Sequence, residues 1–165
     1  MVVVSNTSPL SNLAIVGRLA LLRDQFGSVL VPSAVRRELI QLRHSAATQL
    51  LDEAFKDGWL QVTPLLRPVS GHPGAGLHAG EAEALALAVE RHADLTLLDE
   101  GDARRRATEA GLRISGVLGI LLRAKRDGRL PSLREEIGRL RKEPRFFVAL
   151  TLERQLVVAA GEIPD

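Results

Sequence analysis

The chain has 165 residues, with 45% hydrophobic and 25% charged residues, which is typical of a globular domain with its own core. It contains no cysteine, which excludes disulfides, thiolate zinc sites and cysteine nucleophiles and fits a cytoplasmic location. The N-terminal residues lack signal-peptide features, and no apolar run approaches the ~20 residues that span a bilayer, so no membrane association is expected.

The predicted elements of the first half alternate between short strands and helices. Residues 2–4 form a β-branched run that predicts a buried first strand. Ser8 is the predicted N-cap of the first helix, because Pro9 follows it at the first helical position. The next predicted elements are a helix over residues 18–25, a strand over 28–31, a helix from residue 33 that carries Glu38, a helix over 45–56 and a strand from residue 60.

The second half continues the alternation after a glycine-rich loop over residues 67–80. A helix that begins near Glu81 leads to a compact apolar strand over residues 95–98, which ends at Asp99. Predicted elements then follow over residues 102–110, 112–114, 117–126, 133–140 and 150–160. This order predicts the α/β class, with a mainly parallel sheet covered by helices and residues 1–165 as a single domain.

Oxygen-bearing side chains recur at one edge of this predicted sheet. In an α/β layer a helix begins at the edge where the next strand ends, so Glu81 and Asp99 share an edge although they are distant in sequence. Asn6 follows the first strand, and Glu38 lies within two turns of the second. Oxygen ligands without cysteine or clustered histidine favour Mg²⁺ or Mn²⁺ over zinc. Exposed surface acids would account for any one of these residues, but less well for a set at one edge.

Three segments together resemble the PIN domain family, and within it the VapC-like ribonuclease toxins of bacteria and archaea. They are the opening VVVSNTSPL, the central GEAEALALA, and LTLLDEGDARRRA followed by GLRISGVLGILL. The resemblance covers nearly the whole chain. It implies a three-layer α/β/α sandwich and a Mg²⁺- or Mn²⁺-dependent ribonuclease that gathers three or four acids in one pocket.

The resemblance also implies roles for individual residues. The family's acids, which bind metal and act in catalysis, fall on Asn6, Glu38, Glu81 and Asp99. Asp102 is an expected auxiliary metal ligand. The residues expected to contact substrate are the two hydroxyl residues after the first acid and an arginine run beyond the fourth, namely Thr7, Ser8, Arg104, Arg105 and Arg106.

Asn6 departs from the family pattern, which has aspartate at this position. An amide oxygen can coordinate a hard cation, but it brings no negative charge and cannot act as a base. Three explanations are open: a weaker but active enzyme, a family member that has lost catalysis, or a substitution introduced to inactivate the protein.

The expected partners are RNA and an antitoxin protein, and a homodimer is also expected. Residues 101–130 carry eight arginines and lysines against three acids, which fits either solvated helix faces or a surface that meets phosphates. The first two helices carry more apolar side chains than one helix pair needs to cover a sheet edge, namely Leu10, Leu13 and the run over residues 19–22. They predict a dimer interface or an antitoxin groove.

Two alternative classes of function are also considered. The first is a non-catalytic PIN module that binds an antitoxin or RNA, which Asn6 favours. The second is a receiver-like or nucleotide-binding sheet protein, but paired acids after the first strand and a late strand-end lysine are missing. The G-x-G-x-x-A pattern over residues 74–79 follows a loop, whereas the dinucleotide fingerprint needs a strand before it. The histidines show no metal-ligand spacing; His72 and His78 share the glycine-rich loop and could contact substrate, but all four are interpreted as surface residues.

Overall fold

The protein, described over residues 1–164 by a computed structural model, is built on a parallel five-stranded sheet. Its strands are β1 (Val3–Ser5), β2 (Val29–Val31), β3 (Leu60–Val62), β4 (Leu95–Leu97) and β5 (Ile114–Ser115), in the order β3-β2-β1-β4-β5. The three central strands are largely buried, with β1 buried throughout, whereas the edge strands β3 and β5 are partly exposed.

Helices cover both faces of the sheet. Those that the structure describes are α1 (Thr7–Ile15), α2 (Ala20–Phe26), α3 (Ser33–Ile40), α4 (Ser45–Lys56), α5 (Ala79–Glu90), α6 (Gly101–Glu109), α7 (Val117–Arg126), α8 (Leu133–Lys142) and α9 (Leu150–Ala159). Successive strand residues point to opposite faces, so Val3 packs with α1–α4, α7 and α8, whereas Val4 packs with α5. The predicted α/β/α sandwich with a mainly parallel sheet is confirmed.

The strand order reverses at β1. The chain adds β2 and β3 on one side of β1, then returns to place β4 and β5 on the other side. Ser5 pairs with Leu97, so β1 and β4 end at the same level. Ligands in open α/β sheets bind in the crevice beyond the strand ends at such a switch point. The residues that follow β1 and β4 therefore flank the expected site.

The start of α1 differs from the prediction. The helix begins at Thr7, and the N-cap position belongs to Asn6, in an extended conformation with φ −77° and ψ 176°. The chain thus enters the helix directly from β1, which leaves Ser8 inside the first turn. The Ser8 hydroxyl donates a hydrogen bond to Asp99 Oδ2 at 3.0 Å instead of capping the helix.

Smaller differences concern element boundaries. The loop predicted over residues 67–80 contains a 3₁₀ turn at Val69–Gly71, and α5 begins at Ala79. The strand predicted over residues 112–114 is β5 at Ile114–Ser115. Terminal residues of helices and strands commonly shift by one or two positions, because the end of a hydrophobic pattern marks a boundary only approximately.

The apolar residues predicted to form a dimer or antitoxin surface are buried in the protein's own core, so that prediction is wrong. Leu10, Leu13 and Leu22 have no measurable exposure, and Leu19 and Leu21 are 2% and 5% exposed. They pack in the larger of the cores, against strand residues and against α7 and α8. Helices α7 and α8 cover the apolar side chains that one helix pair alone would leave exposed.

Within residues 1–164, no helix has the length and apolar character needed to cross a membrane.

Candidate functional site

Two adjoining cavities lie beyond the ends of β1 and β4, and together they form what we call the acidic cleft. The first, of about 360 Å³, is lined by Asn6, Thr7, Ser8, Ser11, Glu38, His78, Glu81 and Glu100. The second, of about 430 Å³, is lined by Gly76, Leu77, His78, Glu81, Glu100, Gly101 and Asp102. Both share the wall formed by His78, Glu81 and Glu100. The cleft thus brings together side chains from four separate parts of the chain.

Asn6 forms the floor of the first cavity. Its backbone N–H donates to the Leu97 carbonyl at 3.0 Å, which extends the pairing of β1 with β4 by one residue. Its side chain is only 2% exposed, and Nδ2 donates to Glu100 Oε2 at 3.1 Å. Among the described residues, Asn6 Oδ1 finds no hydrogen-bond partner. A buried oxygen without a donor is costly, so Asn6 Oδ1 is a candidate ligand atom.

Glu38 reaches the same cavity from the last turns of α3. One carboxylate oxygen accepts the Thr7 hydroxyl, and the other accepts the Gly80 N–H at 3.1 Å. A side chain at position 80 would displace the Glu38 carboxylate, because a Cβ there would lie 2.5 Å from Glu38 Oε2. The glycine that precedes Glu81 therefore lets the Glu38 carboxylate approach the N-terminus of α5, where an anion is favoured.

Glu81 lies in the first turn of α5 and belongs to both cavities. Burial raises the pKa of its carboxyl, and repulsion by Glu100, Glu38 and Asp102 raises it further, while His78 opposes the shift. A carboxylate held among like charges destabilises the folded protein, so such a cluster points to a functional rather than a structural role.

This shift predicts that Glu81→Gln stabilises the protein at neutral pH. With the folded-state pKa of Glu81 raised above its ordinary value of 4.5, the folded state binds the proton more tightly than the unfolded state. The contribution of Glu81 to stability therefore falls as the pH rises from 4.5 through the raised pKa. Urea unfolding at several pH values should show a gain for Glu81→Gln at pH 7 that disappears below pH 4.5. Glu109→Gln, at an exposed acid at the end of α6, is the matched control, and a gain independent of pH would contradict the prediction.

Asp99 is held differently from the other predicted ligands. Its Oδ1 accepts the Val117 N–H at 3.0 Å, which caps α7, and its Oδ2 accepts the Ser8 hydroxyl. Gly116 leaves room for this arrangement, since a Cβ at that position would collide with Asp99 Oδ1. Burial raises the pKa of Asp99, and these two hydrogen bonds oppose the shift. Asp99 thus connects α1 to α7, and it lines neither of the two cavities.

The three arginines expected to contact substrate have different partners. Arg104 donates to the Leu98 carbonyl at 2.7 Å, and Arg106 donates to the carbonyls of Pro73 and Ala75 in the loop before α5. Arg105 is exposed and lies 3.7 Å from Asp102. Two of the three guanidinium groups therefore hold main-chain segments beside the cleft. Only Arg105 extends into solvent, as electrostatic steering of an RNA backbone requires.

Two titratable residues of the cleft were not among the site residues predicted from the sequence. Glu100 lines both cavities and contacts Asn6 directly. The sequence signal for Glu100 is its position next to Asp99 at a strand end. Consecutive side chains point in different directions there, so only one of the two adjacent acids enters the cleft. His78 was interpreted as a surface histidine; it is exposed, but it also lines both cavities.

The donor atoms of the first cavity suit a hard divalent cation. The Asn6 amide and the carboxylates of Glu38, Glu81 and Glu100 offer oxygens, and His78 adds an imidazole to the same lining. A bound cation would give Asn6 Oδ1 a partner, and it would offset the repulsion that raises the pKa of Glu81. The acids ring the cavity rather than converging on one point, and within residues 1–164 no three Asp, Glu or His side chains lie close enough, as arranged, to bind one metal ion.

A family model described as a PIN domain matches residues 2–162, which include every element of the sheet and all residues of the acidic cleft. No curated protein matches the chain.

Proposed function

Because the chain belongs to the PIN-domain family, whose members are generally nucleases, we propose that it is a Mg²⁺- or Mn²⁺-dependent endoribonuclease. We further propose that it acts as the toxin of a toxin–antitoxin pair, as its resemblance to the VapC-like branch implies. Under this proposal the protein is cytoplasmic and its substrate is single-stranded RNA.

The observation that carries the proposal is that Asn6, Glu38, Glu81 and Glu100 line one cavity at the switch point of the sheet. Like charges gathered in a partly buried cleft oppose folding, and sites of this kind are typically retained for binding or catalysis. The carboxylate and amide oxygens of these four side chains are the ligands that magnesium and manganese prefer.

In the proposed reaction a water adds to phosphorus, a P–O bond of the RNA backbone breaks, and the leaving oxygen takes up a proton. The metal, when bound, lowers the pKa of a bound water and neutralises phosphate charge. Asn6 Oδ1, Glu38 and Glu81 are the proposed ligands. Thr7 and the Gly80 N–H orient Glu38 through their hydrogen bonds, while Ser8 and Asp99 fix the first turn of α1. Arg105 is the proposed contact with the RNA backbone.

An antitoxin and a second copy of the chain are the proposed protein partners. The core uses the leucines of α1 and α2, so these partners require other apolar surface. Phe147, Leu150 and Ile163 are 85%, 69% and 83% exposed and lie in the C-terminal part of the chain. Five of the nine large hydrophobic side chains that are exposed within the described residues lie between residues 147 and 163, and these are the proposed contacts.

The proposal is tested with labelled single-stranded RNA and purified protein. We expect endonucleolytic cleavage in Mn²⁺ or Mg²⁺, complete loss of cleavage after addition of EDTA, and recovery when excess Mn²⁺ is restored. Cleavage that continues undiminished in EDTA would contradict a metal-dependent mechanism. A duplex RNA of the same sequence is the control for the preference for single strands.

Asn6 favours a second candidate function, a PIN module that binds RNA or an antitoxin without cutting. The site of such a module would lack the charge that a catalytic cation needs. In this case the labelled RNA would be bound and recovered intact at every Mn²⁺ concentration. Binding together with metal-dependent cleavage would exclude this alternative.

A further inference from the structure

The neutral residue at the first-acid position is in contact with an acid from elsewhere in the chain. Asn6 Nδ2 donates to Glu100 Oε2 at 3.1 Å, although the two residues are 94 positions apart. We propose that Glu100 supplies the negative charge that position 6 lacks, an inference that rests on the proposed function. In this arrangement Asn6 orients the Glu100 carboxylate, and both residues contribute oxygens to the cation site.

The topology of the sheet accounts for the contact. The pairing of β1 with β4 ends with Asn6 donating its N–H to the Leu97 carbonyl, so the two chain segments leave the sheet side by side. Glu100 follows three residues after Leu97, at the N-cap position of α6, with extended φ −74° and ψ 137°. Its side chain makes no capping hydrogen bond and is therefore free to reach Asn6.

The hydrogen bonds of Asn6 explain why an amide suits this position. A carboxylate at position 6, where the present residue is 2% exposed, would lie within hydrogen-bond distance of Glu100, and the two charges would repel each other. The amide donates to Glu100 instead and leaves its own oxygen, Oδ1, without a partner. Oδ1 is buried and belongs to a residue that lines the cavity with Glu38 and Glu81, as expected of a ligand atom.

Neither neighbouring acid can substitute for Glu100. Asp99 uses both carboxylate oxygens, on the Val117 N–H and the Ser8 hydroxyl. Asp102 is exposed and is paired with Arg105 at 3.7 Å. Of the three acids between residues 99 and 102, Glu100 is the one that lines both cavities and contacts Asn6.

The test is a double-mutant cycle on Asn6→Asp and Glu100→Gln, read out as Mn²⁺ affinity by calorimetry and as the Mn²⁺-induced rise in Tm. Glu100→Gln is expected to weaken Mn²⁺ binding about 10- to 100-fold, the range typical of groups that support or orient metal ligands. The double variant regains most of this loss, because the carboxylate returns at position 6 beside a neutral amide at position 100. Glu109→Gln, which removes an acid outside the cleft, leaves Mn²⁺ affinity unchanged.

A separate variant guards against a general folding defect. Glu100→Asp keeps the charge but withdraws it from Asn6 Nδ2, and weaker Mn²⁺ binding is expected from a variant that still unfolds in one cooperative transition. Unchanged Mn²⁺ affinity in Glu100→Gln, or a double variant no better than Glu100→Gln alone, overturns the inference. If Glu81→Gln abolishes metal-dependent cleavage in the same series, the proposed nuclease function stands although this inference fails. Absence of Mn²⁺ binding and of cleavage in the unmodified protein removes both.

Discussion

Replacing Glu81 with glutamine is expected to lower the rate of RNA cleavage at least about 100-fold, while the folded protein becomes more stable at neutral pH. A catalytic metal contributes several kcal/mol of transition-state stabilisation, and each 1.4 kcal/mol corresponds to about a factor of ten in rate. Glu81 is the one predicted acid that belongs to both cavities of the cleft, so its loss should affect metal and substrate together.

The opposite signs of the two effects make this prediction specific. A residue that mattered only for the fold would lose stability and activity together when it is changed. Burial and the neighbouring charges of Glu100 and Glu38 instead raise the pKa of Glu81, which indicates that its charge opposes folding. Single-turnover cleavage and urea unfolding of the same preparation would measure both effects. Retention of more than a tenth of the cleavage rate would contradict the assigned role.

The second large effect is expected for Asp99→Asn, and here activity and stability fall together. Asp99 accepts two hydrogen bonds, from the Val117 N–H and the Ser8 hydroxyl. Asparagine has one acceptor oxygen, so one of these partly buried donors would face an NH₂ group. An unsatisfied buried donor costs about 1–3 kcal/mol, and misplacing the first turn of α1 should slow cleavage about 10- to 100-fold.

Ser8→Ala provides the matched comparison for Asp99→Asn. It removes the hydroxyl that donates to Asp99 and accepts from Asn12 Nδ2, and it leaves the Asp99 bond to Val117 in place. We expect a smaller loss of stability, about 1 kcal/mol, and a smaller loss of cleavage. Thermal unfolding and cleavage rates of the two variants should therefore rank in the same order. An Asp99→Asn protein with full activity and full stability would exclude this account of Asp99.

The architecture was predictable because it rests on strong local signals. Short β-branched runs alternate with amphipathic segments, and this alternation is sufficient to predict a parallel sheet covered by helices. The position of the site was predictable for the same reason, since parallel strands end at one edge. Asn6 and Glu81 could therefore be assigned to one edge although they are 75 positions apart.

The direction of individual side chains could not be predicted from the same signals. Asp99 and Glu100 are adjacent at a strand end, and the sequence does not reveal which of them enters the cleft. The answer depends on Ser8 and the N-terminus of α7, which engage Asp99. Arg106 likewise holds the loop before α5 because that loop folds back over α6, a tertiary contact without a local sequence signal.

Burial of the early leucines was missed for a related reason. The apolar surface of residues such as Leu19 and Leu22 was compared with the area that one pair of helices needs to cover the sheet. Helices α7 and α8, much later in the chain, pack against the same face and bury the remainder. The total apolar content was informative, but its distribution between core and surface depends on contacts between distant segments.

The central claim, that the acidic cleft binds a divalent cation, is tested most directly by calorimetric titration of Mn²⁺ into the unmodified protein and into Glu81→Gln. The account predicts a saturable heat of binding for the unmodified protein that is lost in Glu81→Gln and retained in Glu109→Gln. No saturable binding by the unmodified protein, or equal binding by all three proteins, would contradict it.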